Sequence, residues 1–153
     1  MQHLIRMDIT NNCNLRCKSC QLYAAVPKKD VTYLDFELFR QRTRGQLNDW
    51  KAIQLGNTAE PTIHPDFEKY LAYLQEEFSG RFTLITNGTT LHRYAPLINR
   101  KPCTVGVSLD SVNPATYAKI RRGSSLDKVL SGIAGLDRST VRASAPSTLM
   151  RSN

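Results

Sequence analysis

Ile5-Arg6-Met7-Asp8-Ile9-Thr10-Asn11-Asn12-Cys13-Asn14-Leu15-Arg16-Cys17-Lys18-Ser19-Cys20 runs from an alternating segment into a C-x3-C-x2-C run that holds three of the chain's four cysteines. From His3 to Thr10, Ile5, Met7 and Ile9 fall on one side of a strand and Arg6, Asp8 and Thr10 on the other. A strand enclosed in a parallel sheet is usually apolar on both sides, so this pattern predicts a strand bordering a cavity that holds something charged. Three thiolates from one short loop suit a [4Fe–4S] cube held at three irons, its fourth iron open to a ligand, whereas electron-transfer cubes are closed by four cysteines. The alternative is zinc, which also uses closely spaced cysteines and would be completed here by a histidine such as His64. Cys103, distant in sequence, reads as a small buried hydrophobe.

Moving outward, residues 11 to 30 form a loop ending near Pro27 that is too long for an ordinary strand-to-helix connection. Leu34, Phe36, Leu38 and Phe39 then open a helical pattern capped by Thr32 or Asp35 and running to about Arg44. Ala52 to Leu55 reads as a strand, Gly56 to Pro61 as the turn leaving it, and Phe67, Tyr70, Leu71, Leu74 and Phe78 as the apolar stripe of a helix stopped by Gly80. Arg81 to Thr86 is a third strand with Asn87-Gly88 as its turn, and Leu91 to Asn99 a third helix. Thr104 to Asp110 is a fourth strand with Thr104, Gly106, Ser108 and Asp110 on its polar side. Short helices follow at Pro114 to about Ile120 and at Ser125 to Leu136, the latter with Val129, Leu130 and Ile133 facing inward. Val141 to Met150 reads as a fifth strand, although Pro146 would remove a ladder donor. Strands alternating with helices predict a parallel α/β sheet, whose functional groups gather at the C-terminal ends of its strands.

With those segments in view, the chain resembles the radical S-adenosylmethionine (SAM) superfamily. Cys13, Cys17 and Cys20 match its cluster motif after the first strand. Gly56-Asn57-Thr58-Ala59-Glu60-Pro61-Thr62-Ile63-His64-Pro65, Thr86-Asn87-Gly88 and Val107-Ser108-Leu109-Asp110-Ser111 follow in the family's order. The wording is nearest the branch whose members often carry a SPASM-type domain. The resemblance implies a partial (β/α) TIM-like barrel, typically of six strands. A chain ending at Asn153 is accordingly expected to be a core domain over 1–153, truncated after about five strands, with no second domain and with an exposed edge at the fifth.

The resemblance also implies roles. Cys13, Cys17 and Cys20 would carry the [4Fe–4S] cluster. Glu60 matches the acid of the glycine-glycine-glutamate motif and would face the SAM ammonium, a physically sensible pairing; Ala59 stands where the second glycine is usual. Ser108 and Asp110 resemble the polar pair near the SAM ribose, though Asp110 could instead cap the helix starting near Pro114. Arg121 resembles an arginine that reaches the methionine carboxylate, with Arg122 its rival. Asn87 and Gly88 match a turn at the cofactor face, and Ser19 replaces the aromatic or large apolar residue often found beside adenine. The expected activity is reductive cleavage of SAM to a 5′-deoxyadenosyl radical. The expected partners are a peptide, sugar or small-molecule substrate and an external one-electron reductant such as flavodoxin or ferredoxin. A non-catalytic remnant, or a metal-binding or electron-transfer module without SAM chemistry, are the rival readings.

Bulk properties bound the remaining classes. At 153 residues the chain is about one domain. No apolar run approaches the roughly 20 residues of a membrane span, and no signal-peptide pattern opens the chain. Clustered free thiols suit a reducing compartment, so a cytoplasmic setting is expected. The formal charge of +8 comes from scattered Lys and Arg, with short pairs at Lys28-Lys29 and Arg121-Arg122, and this argues for a solvated basic surface over nucleic-acid binding.

Overall fold

The computed structural model describes residues 4–20, 30–137, 139 and, as backbone, 141–144. Five strands form one parallel sheet in chain order: β1 (Ile5–Met7), β2 (Ala52–Leu55), β3 (Arg81–Thr86), β4 (Thr104–Ser108) and β5 (Val141–Ser144). The helices are α1 (Phe36–Thr43), α2 (Phe67–Glu77), α3 (Leu91–Ile98), α4 (Pro114–Ile120) and α5 (Leu126–Ala134). Parallel neighbours require crossovers, and helices with one apolar face supply them while covering the sheet. Ile53, Leu55, Leu84, Val105 and Val107 of the strands meet Phe67, Tyr70, Leu74, Leu91, Ile98 and Val129 of the helices in one fully buried core.

Local chemistry sets the element ends. Asp35, not Thr32, caps α1, its Oδ1 accepting from the Leu38 amide at 2.8 Å. Asn113 caps α4 by accepting from the Thr116 amide at 3.0 Å, which excludes Asp110 from that job. Ser125 caps α5. In α5 the buried face is Leu126, Val129 and Gly132, with Ile133 partly buried, while Leu130 is 46% exposed. The covered face is centred on Val129, between Leu126 and Gly132, and Leu130, about 100° around the axis from Val129, falls at its edge although it is four residues from Leu126. In α1, likewise, Phe39 is buried whereas Leu38 is 45% exposed.

β1 is shorter than the alternation suggests. The sheet pairing covers Ile5 to Met7, after which the chain leaves the ladder and spends its polar side chains on loops. Thr10 donates to the Thr32 carbonyl at 2.7 Å and is buried; Asp8 binds the loop after β2, as described below. Neither borders the cavity, so the polar face anchors loops and does not line the site. β4 likewise ends at Ser108. Of the expected fifth strand, Val141–Ser144 pairs with β4; its continuation and Pro146, like Pro27 and Lys28-Lys29, lie outside the described residues.

Candidate functional site

Loops leaving the C-terminal ends of the strands converge on a cavity of about 420 Å³. Its wall includes Cys13, Cys17 and Cys20 together with Glu60, Ser108, Asp110 and Arg121, with Ala59, Asn87 and Ser19 also at its surface. Cys13, Cys17, Cys20, Ala59, Glu60, Asn87, Ser108, Asp110 and Arg121, singled out in sequence as cluster ligands or cofactor contacts, thus border one volume, whereas Gly88 is not part of its lining. Arg122 does not; it is exposed and contributes its carbonyl to the Arg16 amide at 2.9 Å. Cys103 is buried and lies in a separate cavity with Arg81, Phe82 and Thr104 at the opposite ends of the strands. Burial pushes its thiol up to about 11.

The cysteine loop is held from both flanks. The Arg16 and Lys18 amides donate to the Arg122 and Ile120 carbonyls at 2.9 and 3.1 Å, tying it to the end of α4. On the other flank the Asn12 carbonyl accepts from the Glu60 amide at 3.0 Å, and the Asn12 side chain accepts from the Cys13 amide at 2.9 Å. All three thiols are free and partly exposed. Burial raises the Cys13 and Cys17 thiols above their ordinary value, opposed at Cys13 by the Leu15 amide and at Cys17 by the Arg121 guanidinium.

The loop after β2 wraps a carboxylate that the sequence reading left unassigned. Asp8 Oδ1 accepts from the Asn57, Thr58 and Ala59 amides at 2.8, 3.3 and 3.4 Å, and Oδ2 accepts from the Thr58 hydroxyl at 2.8 Å. Successive amides pointing at one anion form a nest, here filled from within the chain. Gly56 makes the preceding turn with φ +88°, and a Cβ there would sit 2.3 Å from the Ile85 carbonyl oxygen, so glycine is required. Ala59 has no such requirement, since no described non-glycine residue has a positive φ, so the backbone accepts alanine where the motif usually has glycine.

Glu60 is not a surface acid. It is 2% exposed. Oε1 accepts from the Thr62 amide and hydroxyl and the Thr86 hydroxyl at 3.2, 2.5 and 2.6 Å, and Oε2 accepts from the Asn87 amide at 2.6 Å. Burial raises its carboxyl above the usual range against the pull of these donors. Asp110 and Arg121, assigned separately to ribose and carboxylate, form an ion pair with each other at the cavity wall. Thr62, Thr86, Asn14 and Thr89 complete the polar lattice around the wall; the first three lie within the quoted motifs and Thr89 directly follows one, but no role was assigned to them from sequence.

His64 is unavailable to a metal. It is 3% exposed; Nδ1 accepts from the Asp66 amide at 3.0 Å, so the ring proton sits on Nε2, which donates to the Leu34 carbonyl at 2.9 Å. Among the described residues, no three Cys, His, Asp or Glu side chains gather around a single-ion position, as zinc with ligands at about 2.0–2.3 Å demands. Three free thiols facing one cavity, without a fourth cysteine or a histidine beside them among the described residues, fit an open iron–sulfur cube better.

The same geometry gives a pH prediction. Burial lowers the His64 value below the ordinary 6.5, and protonating Nδ1 would break its bond to Asp66. Below about 6.5 the unfolded chain takes up a proton that the folded chain refuses. The stabilisation is therefore complete above that pH and lost as pH falls. Thermal unfolding midpoints should drop from pH 7.5 to 5.5, and His64→Gln should flatten that slope; an equal slope in the variant would contradict the assignment.

Comparison with known proteins places this geometry. Over 135 residues the chain is 33% identical to a GTP 3′,8-cyclase of Peptoclostridium acidaminophilum, covering 84% of this chain and 41% of that protein. It is 31% identical over 136 residues to the enzyme of that name from Caulobacter vibrioides, covering 84% and 38%. The chain thus spans about two-fifths of the length of these relatives. Among solved structures, BtrN in complex with AdoMet and 2-DOIA superposes with a TM-score of 0.70 at 17% identity, over 98% of this chain and 59% of that one. Streptococcus suis SuiB bound to precursor peptide SuiA superposes at 0.72 and 16%, over 94% and 32%. The fold is the partial barrel of these neighbours. With the family model described as Radical SAM superfamily matching residues 7–150, the chain belongs to the radical SAM superfamily.

Proposed function

We propose that residues 1–153 act as a radical SAM core domain, with Cys13, Cys17 and Cys20 holding three irons of a [4Fe–4S] cluster and SAM in the adjoining polar volume. The observation that carries this reading is the shared cavity, lined by three free thiols and by Glu60, Ser108, Asp110 and Arg121. A [4Fe–4S] cluster and SAM are the cofactors of this family. When bound, they supply one-electron cleavage of SAM to methionine and a 5′-deoxyadenosyl radical for hydrogen abstraction from a substrate.

The chain's own residues bind and orient. Ser108 and Asp110 offer a hydroxyl and a carboxylate to sugar hydroxyls. The Asp110–Arg121 pair fixes the guanidinium beside Cys17, leaving further N–H donors for a carboxylate. Glu60 and the Ala59 backbone form the rim nearest an ammonium, with Asn87 between them and Cys13. An external one-electron reductant, of the flavodoxin or ferredoxin type, and a cytoplasmic setting complete the proposal. Among the described residues no helix is long and apolar enough to cross a membrane. Because the relatives are named for GTP, GTP is the substrate we propose to assay first, ahead of peptides, sugars and other small molecules.

Anaerobic reconstitution is expected to give about four irons per chain and an EPR spectrum of the reduced protein that changes on adding SAM. Reduced protein should then release 5′-deoxyadenosine. A cluster whose spectrum ignores SAM would identify an electron-transfer module or a non-catalytic remnant, and stoichiometric zinc without iron would overturn the cluster itself.

A further inference from the structure

The side chain of Asn87 is held more firmly than a turn residue needs to be. It is 5% exposed, at the end of β3. Its Oδ1 accepts from the Thr89 amide at 3.0 Å and the Thr89 hydroxyl at 2.7 Å. Its Nδ2 donates to Asn14 Oδ1 at 2.8 Å, and Asn14 Nδ2 in turn donates to the Thr89 hydroxyl at 2.8 Å. The three side chains close a ring in which each donates to the next. Turning the Asn87 amide over would set its NH2 against the Thr89 N–H and its oxygen against Asn14 Oδ1, so the ring permits one orientation.

That orientation leaves the second Nδ2 proton facing Cys13 Sγ, 3.8 Å away. The Leu15 amide approaches the same sulfur at 3.5 Å. A short Asn-Gly turn alone requires none of this apparatus. Its one evident product is an N–H dipole fixed toward a thiol that the reading above makes a cluster ligand.

We propose that Asn87 is a positioning residue for the cluster: its side-chain amide donates an N–H···S hydrogen bond to the Cys13 thiolate and raises the cluster's reduction potential, with Asn14 and Thr89 holding the donor in place. Hydrogen bonds to sulfur stabilise the more negative, reduced cluster, and partners behind the ligands orient and tune them. This rests on the radical SAM reading and assigns Asn87 to the cluster where motif matching alone suggested a contact with SAM.

The test is redox titration of the anaerobically reconstituted full chain, followed by EPR. Asn87→Ala is expected to keep its iron content, because the ligands are untouched, while its midpoint moves negative. At fixed poise the reduced-to-oxidised ratio should fall about tenfold, equivalent to 59 mV for one electron. Thr89→Val, which frees the amide without removing it, should shift the midpoint the same way by less. In wild-type protein carrying 15N-asparagine, pulsed EPR of the reduced cluster should detect a nitrogen coupling that Asn87→Ala abolishes. If Asn87→Ala fails to fold by circular dichroism, Thr89→Val and the labelled wild type decide the matter. A cluster with unchanged midpoints and no such coupling overturns the proposal and leaves the radical SAM reading standing. Wild-type protein that assembles no cluster overturns both.

Discussion

Cys17→Ala is expected to reduce bound iron to background after anaerobic reconstitution and to cut 5′-deoxyadenosine release at least about a hundredfold, the upper end of what loss of a metal site's supporting groups produces. Under the proposed ligation by three cysteines there is no spare: removing one would leave a cube held at two irons and open to solvent on the others. Cys13→Ala and Cys20→Ala should behave alike, because all three sulfurs border the same cavity. Cys103→Ala is the control, since that residue lies in the cavity at the opposite ends of the strands. It should keep its iron and lose only about 1 kcal/mol of stability, as expected for a small buried truncation. Iron and sulfide analysis, with circular dichroism to confirm folding, separates these outcomes. Equal 5′-deoxyadenosine from Cys17→Ala and wild type would defeat the assignment of the cluster.

The order of strands and helices was legible because each segment carries its own period. Leu84 between Phe82 and Thr86 marks alternation, and Phe67, Tyr70, Leu71 and Leu74 mark a helical stripe; all of these are buried. Leu130 was misread because leucine is apolar on either side of a helix, and only the neighbours of α5 decide which side is covered. The site residues were legible as a set because each follows a strand end, and in a parallel sheet those ends face one way.

What could not be read was the partner of each polar group. Asp8 looks from sequence like one member of a polar strand face, yet it closes a loop about fifty residues away. Asp110 and Arg121 were given to different parts of a ligand, and the fold pairs them. His64 looks like a spare ligand until its two ring nitrogens are accounted for. Pairing of this kind depends on distances set by tertiary packing, and short sequence windows do not encode it.

Glu60 carries the second large prediction. Glu60→Ala is expected to destabilise the apo chain by roughly 3–5 kcal/mol, because the Asn87 and Thr62 amides and two threonine hydroxyls would lose a buried acceptor together. For a chain of this size that is a fall of about 6–20 °C in Tm. Glu60→Gln should lie between, at roughly 1–3 kcal/mol. Glutamine keeps one oxygen for the Thr62 and Thr86 donors, but its NH2 then meets the Asn87 N–H, which sits 2.6 Å from Oε2 in the wild type. The resemblance to the glycine-glycine-glutamate motif would alone make this residue a ligand contact, with its effect confined to SAM binding. Its side-chain hydrogen bonds make it first the joint between the exit of β2 and the end of β3, so Tm must fall with no SAM present. Thr86→Val removes one donor to Oε1 and should couple to Glu60→Gln non-additively in a double-mutant cycle. A Glu60→Gln protein that unfolds at the wild-type temperature but binds SAM more weakly would show that the carboxylate serves the ligand and that the lattice behind it holds without it.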